Sequence, residues 1–192
     1  MWGRDEMNEA IAHGAFDERH MRRKMQRWVV DDKLVAAFIA TIPSGSTLWD
    51  LGAGGGRYVK ALEACGYLAM GIDGSDIENA YVFHRDLTST GMFHGDLEPR
   101  EWAISIEVGE HIQPPLCAAF LANLVAAATV GLIVSWAVPG QRGRGHVHCR
   151  LPEWVVWTIC SFSPWCLDHD WTVEARRIAG KGWDRKLLVF RK

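Results

Sequence analysis

The sequence predicts an α/β fold in which helices cover both faces of a largely parallel β-sheet. Short apolar runs alternate with segments of helical spacing along the 192 residues, and this alternation is typical of such sheets. A glycine-rich turn at residues 52–56 follows the first predicted strand, and Asp73 ends the second. Together they are typical of nucleotide sites, because the turn exposes N–H groups and the acid accepts from ribose hydroxyls.

The length and composition indicate one domain spanning residues 1–192, with N-terminal helices or a lid at 1–42 and the α/β core at 45–192. Hydrophobic residues make up 48% of the chain, which is enough to bury a core without staples. The net charge of −2 and the pI of about 6.4 lack the electrostatic signature of bulk nucleic-acid binding. We therefore expect no nucleic-acid partner.

Cysteine usage and hydropathy indicate a cytoplasmic location. The five cysteines are an odd number without paired spacing, which favours reduced thiols. Residues 1–24 are polar and charged rather than signal-like. The stretch closest to a membrane span, residues 118–138, is divided by Asn123 and Gly131, so no span is predicted.

Helices and strands are predicted to alternate along the chain. The predicted helices span residues 31–42, 57–64, 77–83, 114–128 and 153–162. The predicted strands span residues 47–51, 68–72, 92–93, 102–108, 130–136, 164–167 and 186–191. Residues 170–178 are predicted to form another helix or part of a hairpin. Residues 137–150 are a polar, glycine-rich loop after the fifth strand, at the sheet edge where α/β proteins bind ligands.

Four motifs follow one another in the sequence: Asp50-Leu-Gly-Ala-Gly-Gly-Gly56, Gly71-Ile-Asp73-Gly-Ser75, Gly95-Asp96-Leu97 and Ser105-Ile-Glu107-Val-Gly-Glu110-His111. Their order and spacing over residues 45–192 resemble class I S-adenosylmethionine (SAM)-dependent methyltransferases. The resemblance implies a Rossmann-like three-layer sandwich with a mostly parallel seven-stranded sheet. It also implies that the last strand runs antiparallel beside the fifth, and that SAM is the cofactor.

The resemblance implies a set of cofactor-binding residues at the carboxyl ends of the first four strands: Asp50, Gly52, Ala53, Gly54, Asp73, Gly74, Asp96, Leu97, Glu107 and Val108. Asp50 is expected to order the glycine turn and face the methionine ammonium. Asp73 is expected to accept from the ribose hydroxyls, and Asp96 from the adenine amine, with a backbone contact from Leu97. Glu107 would lie along the methionine side.

A nicotinamide dinucleotide site is the nearest alternative. Its fingerprint requires glycine or alanine at the last position of Gly-x-Gly-x-x-Gly. Here that position is Arg57, whose bulk would prevent close packing of the helix on the strand. Asp50 before the glycines also has no part in that fingerprint, so SAM is favoured.

Glu110 and His111 are the predicted catalytic residues, because similar Glu-x-x-Glu-His segments are common in methyltransferases that act on small molecules. The imidazole of His111 suits a general base for a hydroxyl acceptor, since histidine titrates near neutral pH. In the alternative interpretation, His111 caps or packs against the next helix and Glu110 holds it in place. The sequence leaves both interpretations open.

The loop at residues 137–150 is the predicted acceptor site, with His146, His148, Arg150 and the nearby Trp136 as substrate-binding residues. On an extended segment the two imidazoles would point to one face. The arginines of the loop suit an anionic acceptor, whereas a mobile solvated loop is the alternative. With His111 or Cys149 the two histidines could bind a metal, but without a paired acid or a second cysteine the pattern is weak, so no metal is predicted.

The sequence therefore predicts an enzyme that transfers a methyl group from SAM to a hydroxyl or other small polar nucleophile of a small molecule. A methyltransferase acting on protein or RNA is one alternative. The Asn/Asp-Pro-Pro-Tyr/Phe signature of amino-group methylation is missing after the fourth strand, where the sequence reads Glu107-Val-Gly-Glu110. A non-catalytic module that binds SAM is the other alternative.

Overall fold

The helices and strands of a computed structural model define the fold for residues 30–75, 79–95 and 97–192. The strands are β1 (Thr47–Leu51), β2 (Leu68–Asp73), β3 (Val82–His84), β4 (Arg100–Ile106), β5 (Ala128–Ser135), β6 (Cys166–Leu167) and β7 (Leu187–Arg191). The helices are α1 (Asp32–Thr41), α2 (Arg57–Ala64), α3 (Cys117–Ala126), α4 (Pro152–Phe162) and α5 (His169–Ala179). Two 3₁₀ turns, Gly109–His111 and Pro114–Leu116, precede α3.

The seven strands form one sheet in the order β3-β2-β1-β4-β5-β7-β6. Strands β1 to β5 pair in parallel, whereas β7 runs antiparallel between β5 and β6. The predicted fold class, a mostly parallel seven-stranded sheet with an antiparallel last strand, is confirmed. The strand order reverses at β1, whose two neighbours are β2 and β4. Sheets of this kind bind ligands outside the carboxyl ends of the strands at such a switch point.

Helices on both faces of the sheet form two apolar cores. Helices α1, α2 and α5 contribute to one core, and α3 and α4 contribute to the other. Strand β5 serves both, because Leu132 and Val134 belong to the core under α3 and α4, whereas Ile133 belongs to the opposite core. Strands that are buried on both faces have continuous apolar runs, which is why this strand could be predicted.

Acidic N-caps fix the beginnings of α1 and α5. The Asp31 carboxylate accepts from the backbone N–H groups of Lys33 at 3.0 Å and Leu34 at 3.3 Å. The Asp168 carboxylate accepts from the N–H of Trp171 at 3.0 Å. Caps of this kind satisfy N–H groups that have no partner inside the helix. The two capped helices pack against each other and form an outer layer on one face of the sheet.

The third strand lies at Val82–His84, so the prediction of a strand at residues 92–93 is wrong. The helix predicted at residues 77–83 is also wrong at its C-terminal end, because Val82 and Phe83 pair with β2; residues 76–78 lie outside the described ranges. Met92 and Phe93 are buried in a turn. Their apolar side chains pack into the core from this turn. Two adjacent apolar residues do not show from sequence whether they form a short strand or a buried turn.

Other boundaries differ by a few residues. Strand β4 begins at Arg100 rather than at residue 102. The helix predicted from residue 114 begins at Cys117, after a 3₁₀ turn. Pro114 precedes Pro115, and a residue before proline disfavours the α conformation. Residues 170–178 lie within α5, so the hairpin alternative is wrong.

The predicted N-terminal helices or lid are described only from residue 30, since residues 1–29 lie outside the described ranges. In the part that is described, α1 corresponds to the helix predicted at residues 31–42. None of the helices described is both long enough and apolar enough to cross a membrane.

Candidate functional site

Acidic and polar side chains converge where β1, β2, β4 and β5 end. Asp50 is the penultimate residue of β1, and Asp73 ends β2. Glu107 follows β4, and Ser135 ends β5. The four strands are neighbours in the sheet, so their carboxyl ends bring these residues to one edge. This edge is the candidate functional site.

The glycine turn after β1 is held tightly against the neighbouring strands. The N–H groups of Gly52 and Ala53 donate to the carbonyl of Ile72 at 2.8 and 3.2 Å. Gly52 has a φ of 85°, and a Cβ atom at this position would lie 2.3 Å from Cγ2 of Val108. Only glycine meets both conditions, because side chains strain the left-handed region and the space is already filled.

Asp73 joins the end of β2 to the glycine turn. Its Oδ2 accepts from the N–H of Gly54 at 2.7 Å, and its Oδ1 accepts from the N–H of Ser75 at 2.8 Å and from the Ser75 hydroxyl. A carboxylate offers about four lone-pair positions. With these three bonds from described residues, Asp73 retains the capacity to accept from a ligand hydroxyl.

Asp50 is buried directly before the glycine turn, with 3% of its surface exposed. Its Oδ2 has no hydrogen-bond partner among the residues that the structure describes. Burial, and then the negative charge of Asp73, raise the pKa of Asp50 to about 8. A cationic ligand next to this oxygen would stabilise the charged form of the buried carboxyl group.

Glu107 has a strained backbone and a carboxylate that three side chains hold in place. Its φ of 56° makes it a non-glycine residue in the left-handed region, a conformation that costs free energy and clusters at functional sites. Its carboxylate accepts from the Ser135 hydroxyl at 3.0 Å, Gln141 Nε2 at 2.7 Å and Lys186 Nζ at 2.5 Å. These three side chains fix the end of β4.

The sequence predictions did not include Lys186 or Gln141 among the site residues. A signal for Lys186 exists, because an antiparallel β7 brings its beginning to the carboxyl end of β5. Leu187 pairs with Ser135, which places the preceding lysine at the site. The contact of Gln141 with Glu107 depends on the path of a long loop, for which the sequence carries no comparable signal.

Glu110 is completely buried in the 3₁₀ turn after β4. Its backbone carbonyl accepts from the N–H groups of Val147 at 2.9 Å and His148 at 3.0 Å, which holds the 137–150 loop against the turn. Neither side-chain oxygen has a hydrogen-bond partner within the described ranges. Burial, and then the charge of Glu107, raise the pKa of Glu110 to about 7.

The structure brings Glu110, His111 and His146 together. Nδ1 of His111 lies 3.0 Å from the carbonyl oxygen of Gly145, and Nδ1 of His146 lies 3.1 Å from that of Gln141. The two rings meet edge to face with centroids 5.0 Å apart. Nε2 of His146 is 3.8 Å from Oε1 of Glu110, and one nitrogen or oxygen atom from each of the three residues lies within 4.8 Å of the others.

His148 belongs to a separate aromatic group with Trp136 and Trp154. Its ring lies 5.6 Å from each indole, and Trp136 Nε1 donates to its carbonyl at 2.6 Å. Burial, and then the charge of Arg150, lower the pKa of His148. The expectation that His146 and His148 point to one face is wrong, because residues 146–150 have no strand conformation.

Two other predicted substrate-binding residues lie at this aromatic group. Trp136 is a member of it, and Arg150 contacts it. Trp136 is 2% exposed and packs so closely on Gly109 that a Cβ there would lie 2.3 Å from its ring. The guanidinium carbon of Arg150 lies 5.0 Å from the ring centroid of Trp154, within the range of a cation–π interaction. Arg150 is the more exposed of the two residues.

The residues predicted to contact adenine are described only in part. Asp96 lies outside the described ranges. Leu97 is half-buried, and its N–H donates to the Met92 carbonyl at 3.2 Å. Gly74, predicted beside the ribose, has its carbonyl oxygen 3.2 Å from Nε2 of His84.

Comparison with known proteins gives structural but no sequence matches. No family model matches the chain, and no curated protein matches it. Among solved structures, the chain is similar to the 1,6-didemethyltoxoflavin-N1-methyltransferase of Burkholderia thailandensis, solved with 1,6-didemethyltoxoflavin and S-adenosylhomocysteine. That match has a TM-score of 0.65 at 12% identity and covers 100% of this chain and 92% of that one.

Two further matches differ in coverage and in activity. A protein described as a methyltransferase from an antibiotic biosynthesis pathway of Anabaena variabilis matches with a TM-score of 0.57 at 16% identity. The match covers 73% of this chain, and this chain spans 64% of that protein's length. The [4+2]-cyclase SpnF matches with a TM-score of 0.55 at 13% identity, over 84% of this chain and 80% of that one.

The fold of this chain is the class I SAM-dependent methyltransferase fold. Three other methyltransferases share this fold, with TM-scores of 0.60, 0.59 and 0.58 at 15–18% identity. The match with a cyclase shows that this fold also supports other reactions. The activity must therefore be argued from the residues of the site.

Proposed function

We propose that the protein is an enzyme that transfers a methyl group from SAM to a hydroxyl or other small polar nucleophile of a small molecule. The observation that carries the proposal is the buried Oδ2 of Asp50, which has no hydrogen-bond partner in the described ranges. It lies directly before a glycine turn tethered to Asp73. The Asp50 oxygen suits the ammonium of SAM, and the glycine turn lets the backbone approach the methionine end. Asp73 suits the ribose hydroxyls.

Several carboxylates near the glycine turn favour a ligand with positive charge. Burial is the main reason why the pKa of Tyr58 is raised to about 12, and the negative charges of Asp31, Asp50 and Glu107 add to the increase. SAM carries an ammonium and a sulfonium, so these charges are complementary to it. When bound, SAM supplies a methyl group on a positively charged sulfur, which needs no further activation.

Positioning is then the main task of the protein at the donor side. The bonds from the glycine turn to Ile72 and Asp73 hold its backbone rigidly. Glu107 is held by Ser135, Gln141 and Lys186, so the methionine side of the site is fixed before a ligand arrives. A site of this kind loses little conformational entropy on binding.

The acceptor side is proposed to be the group formed by Glu110, His111 and His146. Transfer to a hydroxyl requires that the acceptor oxygen lose its proton, and an imidazole is suited to accept it at neutral pH. The contact of His111 Nδ1 with the Gly145 carbonyl at 3.0 Å favours the tautomer with its proton on Nδ1. The lone pair is then on Nε2, which is the atom that would take the proton.

An anionic acceptor is favoured by the cationic side chains of the 137–150 loop. Arg150 lies over Trp154 at 5.0 Å, which holds a planar donor group beside the aromatic pair. Arg142 and Arg144 are exposed on the same loop. A phosphate or carboxylate on the acceptor would accept from such guanidinium groups.

The experiment that tests the proposal is calorimetric titration of the purified chain with SAM and with S-adenosylhomocysteine. We expect both to bind, and we expect Asp73→Ala to weaken binding by about 10–100-fold, because it removes hydrogen bonds to a charged acceptor. Glu63→Ala is the matched control, since Glu63 is an exposed acid on α2. Absence of binding by the unmodified chain would contradict the proposal.

A further inference from the structure

We infer that Glu110, His111 and His146 form a binding site for a divalent transition-metal ion such as Zn²⁺. The three side chains come from the 3₁₀ turn after β4 and from the 137–150 loop. One donor atom from each lies within 4.8 Å of the other two. Two imidazoles and one carboxylate form a donor set that suits Zn²⁺ and its first-row neighbours better than Mg²⁺ or Ca²⁺.

The distances require only a small inward movement to bind an ion. Donor atoms at about 2.0–2.2 Å from a tetrahedral Zn²⁺ lie about 3.4 Å from one another. Oε1 of Glu110 and Nε2 of His146 are already 3.8 Å apart. No separation exceeds 4.8 Å, so the atoms need to approach by no more than about 1.4 Å. Side-chain rotation can supply this movement, because both imidazoles are half-buried rather than tightly enclosed.

The contacts of the two imidazoles are those of metal-binding histidines. Each Nδ1 lies at hydrogen-bonding distance from a backbone carbonyl, that of Gly145 for His111 and that of Gln141 for His146. Histidine ligands usually donate their second ring N–H to such an acceptor, which fixes the tautomer and turns the other nitrogen toward the metal. Here both contacts favour a lone pair on Nε2.

Glu110 supplies the independent reason to expect a cation. Its side chain is fully buried, and neither carboxylate oxygen has a hydrogen-bond partner in the part of the chain that the structure describes. Leaving a carboxylate unpaired in a protein interior costs free energy. Lys186 does not relieve this cost directly, because its ammonium group is bonded to Glu107 at 2.5 Å.

The backbone of Glu110 also positions the loop that carries the third ligand. Its carbonyl accepts from the N–H groups of Val147 and His148, the two residues that follow His146. The residue that provides the carboxylate therefore also holds the second imidazole next to it. The ligand set is largely formed before an ion binds, which reduces the entropy lost on binding.

Three protein ligands leave at least one coordination position for another group. The role of the ion rests on the proposed function: an acceptor oxygen in that position would have a lowered pKa and would release its proton to solvent water. His111 would then act as a ligand, and its Nε2 would not be the general base. Binding of the ion does not depend on the proposed function.

The test uses the full chain after removal of metals with a chelator, titrated with Zn²⁺ by calorimetry and with Co²⁺ by visible absorption. We expect one equivalent to bind. Glu110→Gln and His146→Ala should each weaken binding by at least about 10–100-fold, the loss that removal of an outer-shell partner already causes. Glu110→Gln removes the buried charge and keeps the shape, so it should fold, which circular dichroism checks.

Two control variants separate this site from adventitious binding. His169→Gln removes an exposed imidazole at the start of α5, and Cys149→Ser removes the thiol 3.7 Å from Nδ1 of His146. Both should bind Zn²⁺ as the unmodified chain does. Absence of binding to the unmodified chain, or unchanged binding by Glu110→Gln and His146→Ala, would overturn the inference, as would loss of binding in either control.

The metal inference and the proposed function can fail separately. Titration of the metal-free chain with SAM tests the donor site alone. If SAM binds but Zn²⁺ does not, only the metal inference is overturned. If Zn²⁺ binds with the expected pattern of variants but neither SAM nor S-adenosylhomocysteine does, the metal inference stands and the proposed function fails.

Discussion

Asp50 shows how burial prepares a single carboxyl group for a cationic ligand. A solvated aspartate has a pKa near 3.9, whereas burial and the nearby charge of Asp73 raise that of Asp50 to about 8. The folded chain therefore holds a proton that the unfolded chain has released at neutral pH. An ammonium group next to Oδ2 would favour the charged form and make the release of this proton part of ligand binding.

We expect Asp50→Asn to reduce the loss of stability at alkaline pH. Because the folded pKa is raised, the stability that protonated Asp50 contributes is fully present below about pH 4 and is lost as the pH rises through about 8. Between pH 6 and pH 9 the unmodified chain should lose about 2–3 kcal/mol more of its free energy of unfolding than the variant. Urea unfolding at both pH values measures the difference, and equal losses would contradict it.

The position of Asp50, Asp73 and Glu107 at one edge of the sheet could be predicted from the sequence, because each lies at or near the end of a predicted strand. The directions of His146 and His148 could not be assigned in this way. They depend on the carbonyl of Glu110, which accepts from two consecutive N–H groups of a distant loop. Local spacing predicts which face a side chain takes on a strand, but it does not predict the path of an irregular loop.

The glycine turn between β1 and α2 is the element on which the proposed donor site depends. Gly52 combines a positive φ with close contact to Val108, so the turn, β2 and β4 are packed into a single unit. Gly56 has a φ of 71° at the N-cap of α2, a conformation that glycine adopts without strain. The turn therefore tolerates little change at these positions.

We expect Gly52→Ala to destabilise the chain more than Gly66→Ala does, by about 1–3 kcal/mol, the usual cost of forcing an extra methyl group into a packed site. The two glycines have similar φ values of 85° and 88°. A Cβ at Gly66 would meet no atom of the described residues within 4 Å, whereas one at Gly52 would lie 2.3 Å from Val108. Urea unfolding of both variants tests this, and equal losses would mean that backbone strain alone determines the cost.

The elements that could be predicted were those with long apolar runs or clear ends. Strand β1 and helix α2 have the predicted bounds, because the glycine turn separates them. Strand β3 has three residues at an edge of the sheet. So short a strand has no periodicity to detect, and its position depends on pairing with β2 rather than on its own sequence.

The proposed donor side and the proposed acceptor side lie next to each other along the carboxyl edge of the sheet. Residues proposed to bind SAM follow β1 and β2, whereas the group of Glu110, His111 and His146 follows β4 and lies under the loop after β5. Glu107 lies between the two sides. The half-buried position of both imidazoles favours an acceptor small enough to enter beneath the loop.

We expect methyl-labelled SAM, incubated with the chain and a cell extract, to place the label in the small-molecule fraction after size separation. The reason is the limited access to the two imidazoles. At a SAM concentration below the dissociation constant, Asp73→Ala should transfer about 10–100-fold less label, in line with its weaker binding. Glu63→Ala should behave as the unmodified chain. Label in protein or RNA would instead support the macromolecular alternative and contradict a small-molecule acceptor.

Strand β7 determines how much of the chain must be synthesised before the candidate site is complete. It comes last among the strands in the sequence, but it lies inside the sheet between β5 and β6, and Lys186 before it bonds to Glu107. A nascent chain lacking residues 186–191 would expose one edge of β5 and leave Glu107 without its ammonium partner. Ligand binding at the proposed site should therefore begin only once this segment has emerged from the ribosome.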